Sequence, residues 1–479
     1  MSEGFEAGLD LDPEKRRRLW RRLTTTIEEY RESVGELRVT PDLDPVALRA
    51  RIAAFDFTLP LDPEAALAVL ADGLTRDQVH TAHPRYFGLF NPAPTDMGVA
   101  ADALVAAFNP QLAAWSHSPF AAEVEQHLIR SFGGKFGWRP AETEGTFTSG
   151  GAEANHTGLL LALFRAFPEI GRQGLAALFR RPTLYVSAEA HDSLAKAARL
   201  SGLGLDAVRE IGVDAELRML PDELARSIEA DRAAGFAPFL IAATAGTTAG
   251  GAIDPLPEIA TLAEAEGLWL HVDAAWGGAA VLVPELAASL RGIERADSIT
   301  FDAHKWLSVP MAAGLFLTRH AGLLERTFRV AAGYMPSDAG RFAGASAVAD
   351  PFAHSLQWSR RFIGAKVFLS LLVAGWEGYA AALGRQAGMG DLLRERLVEE
   401  GWRLTHRTPL PVVCFVDPVR SDRASLDRIA ERVVGSGAAW INVVELSGLG
   451  PALRACVTNY RTGPEDVEAL VRALGAARS

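Results

Sequence analysis

Short, uninterrupted apolar runs at 183–187, 239–244, 268–273, 298–302 and 314–318 stand out in the middle of the chain. Stretches such as 221–234 and 257–266 separate them, with apolar residues recurring at helical spacing. Runs of that kind, buried on both faces and alternating with helices, predict a mostly parallel sheet covered on either side. The first eighty residues read differently. Leu19, Leu23, Ile27 and Tyr30 share one helical face, and Asp-Pro or Pro-Asp pairs at 12–13, 41–42, 44–45 and 62–63 punctuate the segment. It has no core of its own and is expected to pack on something else, a second subunit included. A long helical stretch at 365–383 follows the sheet region, then strand-like runs at 412–416 and 453–458 with helices between. The expected organisation is a helical dimerisation segment over 1–82, a large α/β domain over 83–368 and a small α/β domain over 369–479.

At 479 residues the chain exceeds what one hydrophobic core supports, and 49% hydrophobic against 22% charged residues is ordinary for a globular protein. Its formal net charge of -11 would repel a polyanion, which argues against nucleic acid as a partner. The basic run Lys15–Arg18, with Arg21 and Arg22, reads as a solvated helix face. Cys414 and Cys456 lie in apolar runs with neither disulfide nor metal spacing, so they are expected to be buried thiols, with no metal site. The first dozen residues lack the apolar stretch of a secretory leader, and no apolar run reaches the roughly 18 residues of a membrane span. A cytoplasmic location is the expectation.

In sheets of this class ligands collect at the carboxyl ends of the strands, and four chemical features fall there. Ser149-Gly150-Gly151 leads from a strand into an Ala- and Leu-rich helix. Glycines admit an anion close to the backbone, and the helix N-terminus offers unpaired N–H groups. An ordinary strand-to-helix turn would look the same, but a Walker loop is excluded because no Gly-Lys-Ser/Thr follows. His191, just beyond 183–187, could stack on a flat ring or simply cap a helix. Asp273 ends an apolar run, where an ionised carboxylate is costly without a partner. A protonated pyridine nitrogen would serve, with an attraction of about 4 kcal/mol at an effective dielectric near 20, or roughly three pKa units on the ring. Lys305, flanked by Phe301, Trp306 and Leu307, reads as a buried amine suited to attack an aldehyde, although a snorkelling lysine has the same pattern. Phosphate cradle, stacking imidazole, carboxylate and lysine, in that order, are what a pyridoxal phosphate (PLP) site requires.

With these residues the sequence closely resembles the group II PLP-dependent amino acid decarboxylases, from about His83 to Tyr460. The likeness rests on His83-Pro84-Arg85-Tyr86-Phe87, Ser149-Gly150-Gly151-Ala152-Glu153-Ala154, Gly246-Thr247-Thr248, His271-Val272-Asp273-Ala274-Ala275 and His304-Lys305-Trp306. The resemblance implies the aspartate-aminotransferase-like fold (fold type I) and a homodimer with active sites at the subunit interface. It implies Lys305 as the cofactor's covalent anchor, Asp273 as partner of the ring nitrogen and His191 stacked on the ring. Ser149, Gly150, Gly151 and His304 would hold the phosphate, with Thr247, Ala275 and Asp302 completing the cofactor site. Phe328-Arg329-Val330-Ala331-Ala332-Gly333-Tyr334-Met335 looks like the family's mobile loop. Tyr334 would reach the neighbouring subunit's site and return a proton to the substrate Cα, whereas aldehyde-forming relatives tend to carry phenylalanine there. Leu89, Phe90 and Trp115 fall at substrate positions and hint at an aromatic or large apolar amino acid.

Three departures are visible. Ala303 stands where many members have proline, and Asp302 where some have asparagine; neither should abolish cofactor binding. Leu89-Phe90-Asn91-Pro92 also differs from the aromatic-specific members. The rival outcomes on the same fold are an aldehyde synthase and a carbon–carbon lyase. A nicotinamide dehydrogenase lacks its Gly-x-Gly-x-x-Gly signature here.

Overall fold

A computed structural model of the chain describes residues 9–330 and 348–478. Eleven strands form two sheets among these residues. The larger contains β1 (Glu144–Thr148), β2 (Pro182–Ser187), β3 (Val208–Ile211), β4 (Ala237–Thr244), β5 (Trp269–Asp273), β6 (Ser298–Asp302) and β7 (Gly314–Thr318), in the order β1-β7-β6-β5-β4-β2-β3. Strands β2 to β6 pair in parallel, joined by helices such as Pro221–Ala233 and Leu256–Glu266. Every residue of β5 and β6 is buried, which is why they read as continuous apolar runs.

One strand departs from the parallel pattern. Strand β7 runs antiparallel to both β1 and β6, because residues 303–313 return directly without a crossover helix, and a parallel link needs one. Its first residue, Gly314, therefore lies opposite both Thr148 and Asp302, the last residues of β1 and β6. The carboxyl ends of β1 and β6 meet at one point, and the active groups gather there.

Strands β8 (Arg403–Leu404), β9 (Val412–Val416), β10 (Asn442–Leu446) and β11 (Gly450–Cys456) form a separate antiparallel sheet in the order β10-β11-β9-β8, with the helix Arg423–Ser436 packed on β10 and β11 and the helix Pro464–Arg478 packed on that helix. Both cysteines are buried in the sheet as free thiols. The helical stretch Gly364–Glu399, which contains position 368, packs on β8 and β9 and on the helices Asp96–Phe108, Pro119–Lys135 and Pro464–Arg478. By length and composition the stretch passes as a membrane-crossing helix, contrary to the reading of the sequence, but the non-helical Gly375 (φ 62°, ψ 177°) divides it into two helices. Val367, Tyr379, Leu383, Leu393 and Leu397 face the core, whereas Leu372 and Val373 are exposed.

The Asp-Pro pairs mark real helix starts. Asp12, Asp44 and Asp62 accept backbone N–H groups at the heads of helices Pro13–Ser33, Pro45–Ala53 and Pro63–Arg76. None of these helices has a buried residue. The segment is anchored on the small sheet's helices instead: Val39 N–H donates to Gly437 O, and the Arg38 guanidinium to Gly435 O.

Candidate active site

The carboxyl ends of β1, β5 and β6 open into a cavity of about 290 Å³. Ser149, Gly150, Gly151, His191, Asp273, Ala275, Asp302, His304 and Lys305, all singled out from the sequence, line it. Residues separated by more than 150 positions thus converge, and each does so because its strand ends there.

Asp273 is 5% exposed and has no ion pair among the described residues. Its Oδ2 accepts the Asn155 amide at 2.7 Å and its Oδ1 the backbone N–H of Ala275 at 3.1 Å. One N–H on each oxygen leaves acceptor capacity on both. A buried carboxylate on the wall of a cavity, without a cation, fits the protonated nitrogen of a flat heterocycle.

Lys305 is placed differently from the enclosed amine that its neighbours suggested. Phe301, Trp306 and Leu307 turn into the core, each about 1% exposed, whereas the Lys305 side chain is 22% exposed and its Nζ stands 3.1 Å from Asp302 Oδ2. The ammonium is paired rather than stranded in apolar surroundings. That same Oδ2 accepts the backbone N–H of Gly151 at 3.0 Å, and Asp302 Oδ1 is buried without a partner. His304 Nδ1 accepts the N–H of Ala313 at 3.1 Å, so its proton sits on Nε2, which lies 3.9 Å from Asp302 Oδ2. Burial holds the His304 pKa below the usual histidine range, with Asp302 opposing and Lys305 adding to the fall.

The phosphate cradle is corrected in detail. The Gly151 N–H is spent on Asp302, and both the Ser149 N–H and hydroxyl donate to Glu153 Oε2, at 2.8 and 2.7 Å. Glu153 is in turn held by Gln357. Gly150 and Ala152 also line the cavity; with the Glu153 and Ala154 N–H groups on Gly150 O, at 3.0 and 3.1 Å, the Ala152 N–H is the one of the helix's first turn left for an anion among the described residues. A side chain at 151 would fill this space, since its Cβ would lie 2.9 Å from Asp302 Oδ2 and 3.2 Å from the Ala275 Cβ. Room for an anion, an open carboxylate and a reachable amine therefore coincide in one cavity that suits PLP.

Thr247 does not face this cavity. Its hydroxyl accepts the N–H of Ala252 at 3.0 Å inside a turn and is fully buried; Thr248 lines the cavity instead. His191 is exposed at the rim, its Nδ1 accepting the Ser193 N–H at 3.2 Å. Phe90 is buried, stacked on Trp276 with centroids 4.4 Å apart, and Lys305 Nζ lies 5.9 Å from its ring. Trp115 is away from the cavity lining, with its indole N–H on Glu123 and its backbone N–H on Asp350. Tyr334 lies outside the described residues.

A second cavity of about 640 Å³ adjoins the first through His191 and Thr248, walled by Leu89, Glu189, the strand β10 and Arg454. Sequence reading passed over Arg454 because it sits mid-strand in an apolar run. It is 1% exposed, its Nε and Nη1 donate to Ala249 O and Gly88 O at 3.1 and 2.6 Å, and its Nη2 is buried without a partner.

The family model for the pyridoxal-dependent decarboxylase conserved domain matches residues 50–416. A bovine (Bos taurus) protein named acidic amino acid decarboxylase GADL1 is 33% identical over 356 residues, covering 74% of this chain and 67% of its own length. A protein of Bacillus atrophaeus named aromatic-L-amino-acid decarboxylase is 30% identical over 469 residues, 96% of this chain and 94% of the relative. The crystal structure of mouse CSAD matches the fold with a TM-score of 0.90 at 27% identity, covering 98% of this chain and 100% of the other.

Proposed function

The chain belongs to the pyridoxal-dependent decarboxylase family and is a PLP-dependent amino acid decarboxylase, and from that premise we propose that it releases the amine of an L-amino acid together with carbon dioxide. Bound PLP supplies the electron sink for the bond that loses its carboxylate. The observation that carries the reading is the placement of Asp273 and Lys305 at the ends of adjacent parallel strands, facing one cavity. Asp273, steadied by Asn155 and Ala275, would hold a proton on the ring nitrogen. The Lys305 amine, oriented by Asp302, is the anchor. Gly150, the helix N-terminus and the Nε2–H of His304 would hold the phosphate, and His191 would cover the ring.

Tyr334 is assigned the return of a proton to the substrate Cα on its sequence resemblance. That assignment favours the amine over an aldehyde and brings a second copy of the chain into the site. The uncovered apolar residues of the first segment, Val46, Ile52, Phe57, Leu61 and Leu70 among them, support a homodimer. Buried free thiols agree with a cytoplasmic setting.

Two substrate readings stand on separate observations. Phe90 beside Lys305 supports an aromatic or large apolar side chain. Arg454, which lines the adjoining cavity and whose buried Nη2 has no partner, supports a side chain bearing a carboxylate, and the bovine relative's name points the same way. Purified PLP-loaded protein, supplied separately with aromatic, aliphatic and acidic L-amino acids, decides between them by carbon dioxide release. Aldehyde with ammonia and peroxide in place of amine would overturn the product assignment.

A further inference from the structure

Asn155, on the second turn of the helix that opens at Gly151, is fully buried and bonds to two other elements, β5 and the helix Ser193–Leu200. Its Nδ2 donates to Asp273 Oδ2 at 2.7 Å and to Ser193 Oγ at 2.8 Å, and its Oδ1 lies 3.0 Å from His271 Nε2. His271 Nδ1 lies 2.8 Å from Ser298 Oγ, and that oxygen accepts the Trp269 indole N–H at 2.8 Å.

Only one assignment of protons satisfies this chain. Asp273 only accepts, so the amide must turn its NH₂ toward it and its oxygen toward His271. His271 then carries its proton on Nε2, and its Nδ1 must accept. The Ser298 hydroxyl, its oxygen already holding the Trp269 N–H, gives its proton to Nδ1. The Trp269 N–H is compatible with this order, and the Thr300 hydroxyl oxygen, 3.3 Å from Nε2, can share the Nε2–H with Asn155. Burial pushes the His271 pKa down to about 4, so the ring is neutral and the order does not reverse at neutral pH.

We propose that Asn155 is a positioning residue, held in one orientation by the neutral His271, that presents an N–H to Asp273 and so fixes the carboxylate against the cofactor's ring nitrogen. Through Ser193, whose backbone N–H donates to His191 Nδ1, the same amide links Asp273 to His191. The inference rests on PLP lying against Asp273.

The test uses full-length enzyme loaded with PLP carrying ¹⁵N at the ring nitrogen. Asn155→Leu keeps the approximate size and removes the donor. The ring-nitrogen resonance is expected to move from its protonated toward its neutral position, with cofactor release at least tenfold faster. Should that variant not fold, Asn155→Ser is smaller and keeps a donor, and is expected to move both readouts the same way by less. An unchanged resonance and release within twofold of wild type, alongside a lower melting temperature, would mean that Asn155 is structural only and would overturn the proposal. Borohydride trapping at Lys305 in the wild type separates the two failures, since no adduct there would overturn the cofactor reading beneath it.

Discussion

The N–H of Gly151 meets the Asp302 carboxylate across 3.0 Å, joining the end of β6 to the first turn of the helix after β1. A methyl group at 151 would press on that carboxylate at 2.9 Å and on Ala275, and neither neighbour is the free end of a flexible chain. Gly151→Ala is therefore expected to weaken PLP binding at least tenfold while the fold survives. Titration of the apoprotein with PLP, read beside its circular dichroism, checks this; unaltered affinity would show the cradle to be looser than the structure indicates.

Asp302 serves Gly151 and Lys305 with a single oxygen. Asp302→Ala leaves the Gly151 N–H without a partner, at a cost of about 1–3 kcal/mol. A lowered melting temperature of the apoprotein is expected, and a gain in stability would contradict the pairing.

His271 links stability to pH. Its folded pKa of about 4 lies below the ordinary 6.5, so the folded state binds fewer protons than the unfolded one. The stability it confers is complete above pH 6.5 and is lost as pH falls toward 4, by about 3 kcal/mol in all. Urea unfolding of wild type and His271→Phe across that window should converge by this amount as acid is added. Asp254, fully buried and pushed up to about 6, has the opposite slope, which both proteins share and the comparison cancels. Parallel pH profiles would contradict the neutral buried imidazole.

Arg454 separates the substrate readings. If its guanidinium receives a side-chain carboxylate, Arg454→Lys loses one charge-assisted hydrogen bond worth about 1.5–3 kcal/mol. The kcat/KM for acidic substrates should then fall roughly ten- to a hundredfold, with aromatic ones little affected. Equal losses on both classes would assign Arg454 to holding Gly88 and Ala249 alone.

Much of this was legible because strand ends are where chemistry gathers in such sheets. Asp273 and Lys305 follow buried runs whose apolar character is hard to miss, and the runs at 298–302 and 314–318 coincide with β6 and β7. What escaped has common causes. Thr247 and Thr248 are adjacent in a turn, where no period says which one faces the cavity. Lys305 is exposed on one side because its aromatic neighbours turn inward, a choice set by the irregular return to β7. Asn155 and Arg454 each lie inside an ordinary helix or strand, and their roles depend on partners more than a hundred positions away.

Attachment of the cofactor to Lys305 is the claim beneath all the others. Borohydride reduction of the PLP-loaded protein, followed by peptide mass mapping, tests it directly. A pyridoxyl adduct on the peptide containing Lys305, absent from Lys305→Ala, is the predicted result; an unmodified Lys305 in protein that had bound PLP would contradict it.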